Sequence, residues 1–135
     1  MRKQEAHRRA PQRRRVTRVV SVRFDPCDVY IGRAMDDERA MDSRFGNPYA
    51  QGRRVPAHYM GFALEDAGEF VHSREESIAR HDLYLRKRVQ ADAEFRAALL
   101  KLRGFDLGCW CKGPGGVPDV PCHGDNIVRL LKELK

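Results

Sequence analysis

The last quarter of the chain limits the possible folds more than any other part. Residues 106–111 (DLGCWC) form a short run with the length and apolar character of a buried strand. A loop over 112–121 follows, with three Gly and three Pro. From residues 122–125 onward, Ile127, Leu130, Leu131 and Leu134 recur at i, i+3, i+4 and i+7, the spacing of one helical face. A strand, a loop and an amphipathic helix in that order form a layer unit of an α/β sheet. The carboxyl edge of such a sheet is where ligands usually sit.

The preceding residues supply the partners. Residues 16–23 (VTRVVSVR) and 28–32 (DVYIG) are rich in β-branched residues and read as strands. Asp25-Pro26 separates them, and Cys27 falls in the connection. No period appears over 33–59, which Gly, Pro and Asn-Pro punctuate instead. Residues 60–64 and 69–71 read as a short hairpin. Ser73 and Glu76 make a capping box for a helix to about Gln90, with Ile78, Leu85 and Val89 on its inner side. Asp92 caps a second helix with Phe95, Leu99 and Leu102 on one face; Arg103 ends it, and Gly104 suits the left-handed position beyond. The expected fold is a small single α/β domain over residues 16–135, a short sheet flanked by about three helices.

Length and charge bound the alternatives. With 135 residues, 41% hydrophobic and 33% charged, the chain can bury one modest core. No apolar run approaches the ~18 residues of a membrane span, and no apolar segment follows the N-terminal charges. A cytoplasmic protein without membrane contact is the expectation. The net charge of +7 is carried by the first 18 residues, which hold eight Lys/Arg against Glu5 alone. Residues 1–15 therefore read as a disordered basic arm. Arg13, Arg14 and Arg15 there suit salt-dependent, sequence-independent contact with nucleic-acid phosphates. A merely solvated tail explains them equally well, since the arm has no aromatic residue to stack on bases.

Two groups of residues point to a site. Cys109, Cys111, Cys122 and His123 cluster late in the chain, and without a secretory signal such clusters more often mean metal or chemistry than disulfides. On one reading the four hold zinc, although Cys-x-Cys and adjacent Cys-His spacings are unusual for a tetrahedral site. On another, Cys122 is a thiolate favoured by the helix N-terminus, with His123 and Asp125 beside it as the reactive group. On the third, the cysteines are ordinary buried residues and His123 and Asp125 cap the helix. The second group is Arg33, directly after a strand, with Ser43 and Asn47 in the SRFGNPY segment. Arg there suits bidentate recognition of phosphate or carboxylate, whereas a structural turn is the plainer account. His58, His72 and His81 have no partner at ligand spacing. No P-loop, GxGxxG, HExxH or GxSxG pattern occurs.

VYIGR at 29–33, SRFGNPY at 43–49, SREESIARHDLYL at 73–85, LRGFDLGCWC at 102–111 and PCHGD at 121–125 together resemble domain-of-unknown-function family 4326. The resemblance runs from about Val29 to the C-terminus, excludes the basic arm, and is weakest over 50–72. His81 stands where that family often has an aromatic residue. Such proteins are small, and many come from phages and actinobacteria; a phage-encoded member would work in its host's cytoplasm. The resemblance implies a fold and a site rather than a reaction: Arg33, Ser43, Asn47, Cys109, Cys111, Cys122, His123 and Asp125. A second such family, number 488, is loosely similar in its strand-Cys and helix-start Cys-His. The leading expectation is a pocket for a nucleotide-like or other phosphorylated ligand at the sheet's carboxyl edge. The rival is a zinc-stabilised, non-catalytic module that binds nucleic acid through its arm.

Overall fold

The computed structural model describes residues 13–14, 16–32, 44–110 and 120–134. Three short strands, β1 (Arg18–Ser21), β2 (Val29–Tyr30) and β5 (Asp106–Cys109), form a parallel sheet in the order β1-β5-β2. Arg18 pairs with Asp106, Ser21 with Cys109, and Tyr30 with Gly108. A separate hairpin joins β3 (His58–Tyr59) to β4 (Phe62–Ala63). The helices are α1 (Arg74–Ala91), α2 (Ala93–Leu100) and α3 (His123–Glu133). This is the small α/β domain expected from the residue pattern.

The last of the three strands in sequence is the central one, and both of its faces are covered. Leu107 and Cys109 face the helices and join the main core of Ile31, Phe45, Leu85, Phe95, Leu99 and Ile127. On the opposite face the chain leaves β1 and returns over residues 22–28 to start β2. Parallel strands require such a crossover, and here it is too short for a helix. The Val22 amide donates to the Cys109 carbonyl at 2.8 Å, and the Asp28 amide donates to the Asp106 carbonyl at 2.8 Å. This return segment packs so closely on β5 that a Cβ at Gly108 would lie 2.5 Å from the Cys27 Sγ and 2.6 Å from the Val22 Cγ1. Cys27, read as a connection residue, is therefore a buried packing residue in a second cluster with Val20, Val22 and Tyr30. Trp110 packs against that cluster, and its Nε1 donates to the Tyr30 hydroxyl at 3.0 Å.

Caps set the helix ends much as the residue pattern predicts. Ser73 Oγ accepts from the Glu76 amide at 3.0 Å, and Glu76 reaches back to the His72 amide, one residue earlier than the usual capping-box partner. Asp92 ends α1 and caps α2 by accepting from the Phe95 amide at 3.0 Å. Gly104 is left-handed with φ 83°, and its amide donates to the Thr17 hydroxyl. The expected hairpin differs in its pairing. Tyr59 pairs with Phe62 across Met60-Gly61, both at positive φ, as a type I′ turn requires. Residues 69–71 instead run beside 53–55, through the Arg54–Phe70 bridge. Met60 is an unusual residue for this conformation. The buried Arg88 holds it there, donating to the Met60 carbonyl at 2.9 Å and to the Tyr84 hydroxyl at 2.9 Å.

At the amino edge of the sheet two carboxylates are buried and answered by arginines. Asp28 Oδ2 accepts from the Asp106 amide at 2.7 Å and from Arg14 at 2.6 Å. Asp106 takes Arg18 in a two-pronged pair at 2.9 and 2.8 Å, which pushes the Arg18 pKa up, its hydrogen bonds to Asp106 contributing most. Arg14 is thus fixed to the domain, and its amide donates to the Gly104 carbonyl at 2.6 Å. Gly108→Ala should cost about 1–3 kcal/mol, because the return segment must move to admit the methyl group. Urea unfolding checks this; an unchanged midpoint would show that residues 22–28 do not press on the strand.

Candidate functional site at the carboxyl edge of the sheet

Three strand ends and the starts of two helices meet at the opposite edge. β5 ends at Cys109 and β2 runs into Ile31-Gly32. Helix α3 begins beside both. Cys122, its N-cap, places Sγ 3.6 Å from the Cys109 Sγ, and both residues are buried. His123 Nε2 lies 2.9 Å from the Ile31 carbonyl. A carbonyl oxygen only accepts, so the imidazole proton is on Nε2. Asp125 accepts from the Cys122 amide at 3.1 Å, as a capping-box carboxylate does. A Cβ at Gly124 would lie 2.9 Å from Val19 and 3.0 Å from Ile31, so the glycine lets the start of α3 lie close against the sheet.

Helix α1 runs parallel to α3. Asn126 donates to the Ile78 carbonyl at 2.8 Å, and Glu133, seven residues on, pairs with Arg86 at 2.7 Å. Both helix N-termini therefore point to this edge, each with the partial positive charge of its first-turn amides, which the capping carboxylates Glu76 and Asp125 partly answer. Arg74, on the first turn of α1, donates to the Pro121 carbonyl next to the start of α3. Its guanidinium has no carboxylate partner among the described residues. Sequence reasoning missed Arg74 because it looks like a solvated residue inside a capping box. Only the parallel packing of the helices brings it to the site.

The two helices are locked to the segment after β2 by a buried network centred on His81. Asn126 donates to His81 Nδ1 at 3.0 Å, so Nε2 carries the proton and donates to the Phe45 carbonyl at 3.0 Å. Arg129 donates to the Asn126 Oδ1 at 2.6 Å. The His81 and His123 rings meet edge to face, with centroids 5.2 Å apart. Asn47 is buried. Its amide group donates to the Ser77 hydroxyl at 2.8 Å and its Oδ1 accepts from the Tyr49 amide at 2.8 Å. It shapes the turn from inside. Gly46 sits against Gly32: a Cβ there would be 2.5 Å from the Gly32 carbonyl oxygen. Gly32 and Gly46 therefore stand side by side.

Arg33 and Ser43, expected to bind ligand, and Cys111, expected to bind metal, lie outside the described residues. Arg15 does too, whereas Arg13 and Arg14 pack at the amino edge, away from this site. For zinc, the Cys109 and Cys122 sulphurs are spaced about as two thiolates on one tetrahedral ion would be, given Zn–S bonds of ~2.3 Å. His123 has committed its Nε2 to Ile31, leaving Nδ1. Among the described residues no three His, Cys, Asp or Glu side chains gather round one point. Of the expected zinc set, Cys109, Cys122 and His123 are described, and the two cysteine sulphurs are the pair brought close together.

A cleft of about 760 Å³ lies away from this edge, between α1 and residues 62–69. Its cations are already answered. Glu69, then Glu76 and Asp66, hydrogen-bond Arg80 and push its pKa up, while Lys87 pairs with Glu65. No helix among the described residues is long and apolar enough to cross a membrane. His81→Phe would fill the same space but leave the Phe45 carbonyl and an Asn126 donor buried without partners. A loss of about 2–4 kcal/mol in urea unfolding is expected; a neutral result would mean the network does not hold the helices.

Comparison with known proteins places this geometry in a family. Residues 13–133 match the model of a domain of unknown function, DUF4326. The chain is also similar to an uncharacterized 12.4 kDa protein in the nrdA-td intergenic region of Enterobacteria phage T4. The two are 32% identical over 91 residues, covering 67% of this chain and 79% of the phage protein. No solved structure matches. The family match begins at residue 13, where the described contacts with the domain also begin, and this chain belongs to the DUF4326 family.

Proposed function

We propose that this chain binds a nucleotide-like or other phosphorylated small molecule at the carboxyl edge of its sheet. The observation that carries the reading is the convergence there of the α1 and α3 N-termini, with Arg74 between them. An anion gains from oriented amides and from a guanidinium that has no carboxylate partner among the described residues. Arg33 follows β2 by three residues, and 112–121 follows β5, so both flanking segments start from this edge. Arg33 and Arg74 would hold the charge, Ser43 would add a polar contact, and Cys122 with His123 would lie beneath the ligand. Asn47, bonded inward, would act by shaping the turn that carries them.

The second reading is a zinc-stabilised module, favoured by the 3.6 Å separation of the Cys109 and Cys122 sulphurs. Cys111 would complete the thiolate set, and removing the metal should then unfold the chain.

Calorimetric titration of the purified full chain with nucleoside mono-, di- and triphosphates tests the first reading. Arg33→Ala should weaken the best ligand by about tenfold or more, the worth of one charge-assisted contact, without shifting the unfolding midpoint. Binding unchanged in that variant, or no phosphate compound bound at all, overturns the assignment. Near-stoichiometric zinc on native protein, with unfolding on chelation, would establish the second reading.

A further inference from the structure

The opposite end of the molecule carries a groove of about 540 Å³ lined by Arg13, Arg14, Arg103 and Lys132, with no acidic residue in its walls. Its shape is fixed by the backbone. The Arg14 amide donates to Gly104, and a Cβ at Gly104 would meet the Arg14 carbonyl at 2.6 Å. Arg103 closes the α3 side by donating to the Leu131 carbonyl at 2.6 Å and to that of Leu134. Arg13 lies over the Phe105 ring, 4.3 Å from its centroid, and donates to the Arg103 carbonyl.

Among the described residues, Arg14 is the one of these four cations paired with carboxylates, at 2.6 Å from Asp28 and 3.8 Å from Asp106. Arg13 and Arg103 spend their hydrogen bonds on neutral carbonyls, and Lys132 is exposed, so among the described residues these three have no acidic partner. In the sequence, Arg13 follows the chain's most basic stretch, which includes Arg2, Lys3, Arg8 and Arg9.

We infer that this groove is a docking surface for the phosphodiester backbone of nucleic acid. Charge complementarity selects the partner: three cations with no acidic partner among the described residues, on a built surface, suit a regularly spaced polyanion. No exposed aromatic ring lines the groove, so contact is with phosphates rather than stacked bases, and it is independent of sequence. This surface lies at the amino edge of the sheet and does not depend on the pocket proposed at the carboxyl edge.

The test uses the full chain and a fluorescein-labelled 20-base-pair DNA duplex of mixed sequence, followed by anisotropy over a salt series. Lys132→Gln removes an exposed cation from the groove. Arg53→Gln removes one from an exposed position outside it and serves as the control. Lys132→Gln should weaken binding several-fold and lower the slope of log K against log salt by about one, with Arg53→Gln unchanged. Equal losses in both variants would mean that bulk charge alone attracts DNA and would overturn the inference. No loss from Lys132→Gln, or no binding by the unmodified chain at low salt, would overturn it as well. Nucleotide binding at the other edge should be the same in both variants, so the two proposals fail separately.

Discussion

The close contact between residues 22–28 and the central strand organises the rest of the molecule. A sheet of three short parallel strands is too small to be stable with one face open, and none of the described helices covers its outer face. It uses the return from β1 to β2 instead, laid flat on β5 with Cys27 and Val22 where a side chain at Gly108 would be. That choice gives all the described helices to the other face. It also sets the strand order, because β5 must slot between two strands joined across it.

The two edges of the sheet then have opposite characters. At the amino edge, Asp28 and Asp106 are buried beside strand starts and recruit Arg14 and Arg18. Burying two carboxylates is costly unless each is both paired and hydrogen-bonded, and here each has an arginine, while the Asp106 amide serves Asp28. At the carboxyl edge no comparable ion pairing is found among the described residues. Helix N-termini, two thiols, two imidazoles and Arg74 gather there, and their hydrogen bonds go largely to carbonyls at strand and loop ends. One edge is built as a structural lock, and the other has the chemistry of a binding surface.

Much of this could be read from the residues themselves. The capping residues Ser73 and Asp92, the left-handed Gly104, and the helical stripe Ile127, Leu130, Leu131 are local signals, and local physics placed them. The meeting of Cys109 with Cys122-His123 followed from strand–loop–helix order. Non-local partners were not legible. His81 looks like any helical histidine until Asn126 and Phe45 are brought to it, and Asn47 resembles an exposed turn residue although it bonds inward to Ser77. Arg14 sits in a run of like charges that reads as solvated, yet the buried Asp28, fourteen residues on, and the Gly104 carbonyl tie it down. The pairing of 53–55 with 69–71 was missed because neither stretch alternates in hydropathy.

The central claim, that the carboxyl edge is where this protein takes its ligand, is most directly tested by amide chemical-shift mapping on isotope-labelled full-length protein titrated with nucleotides. The account predicts saturable shifts at Gly32, Arg74, Trp110 and residues 122–125, with the amides around Gly104 and Lys132 still. Shifts confined to the amino-edge groove, or spread evenly over the basic surface, would contradict it.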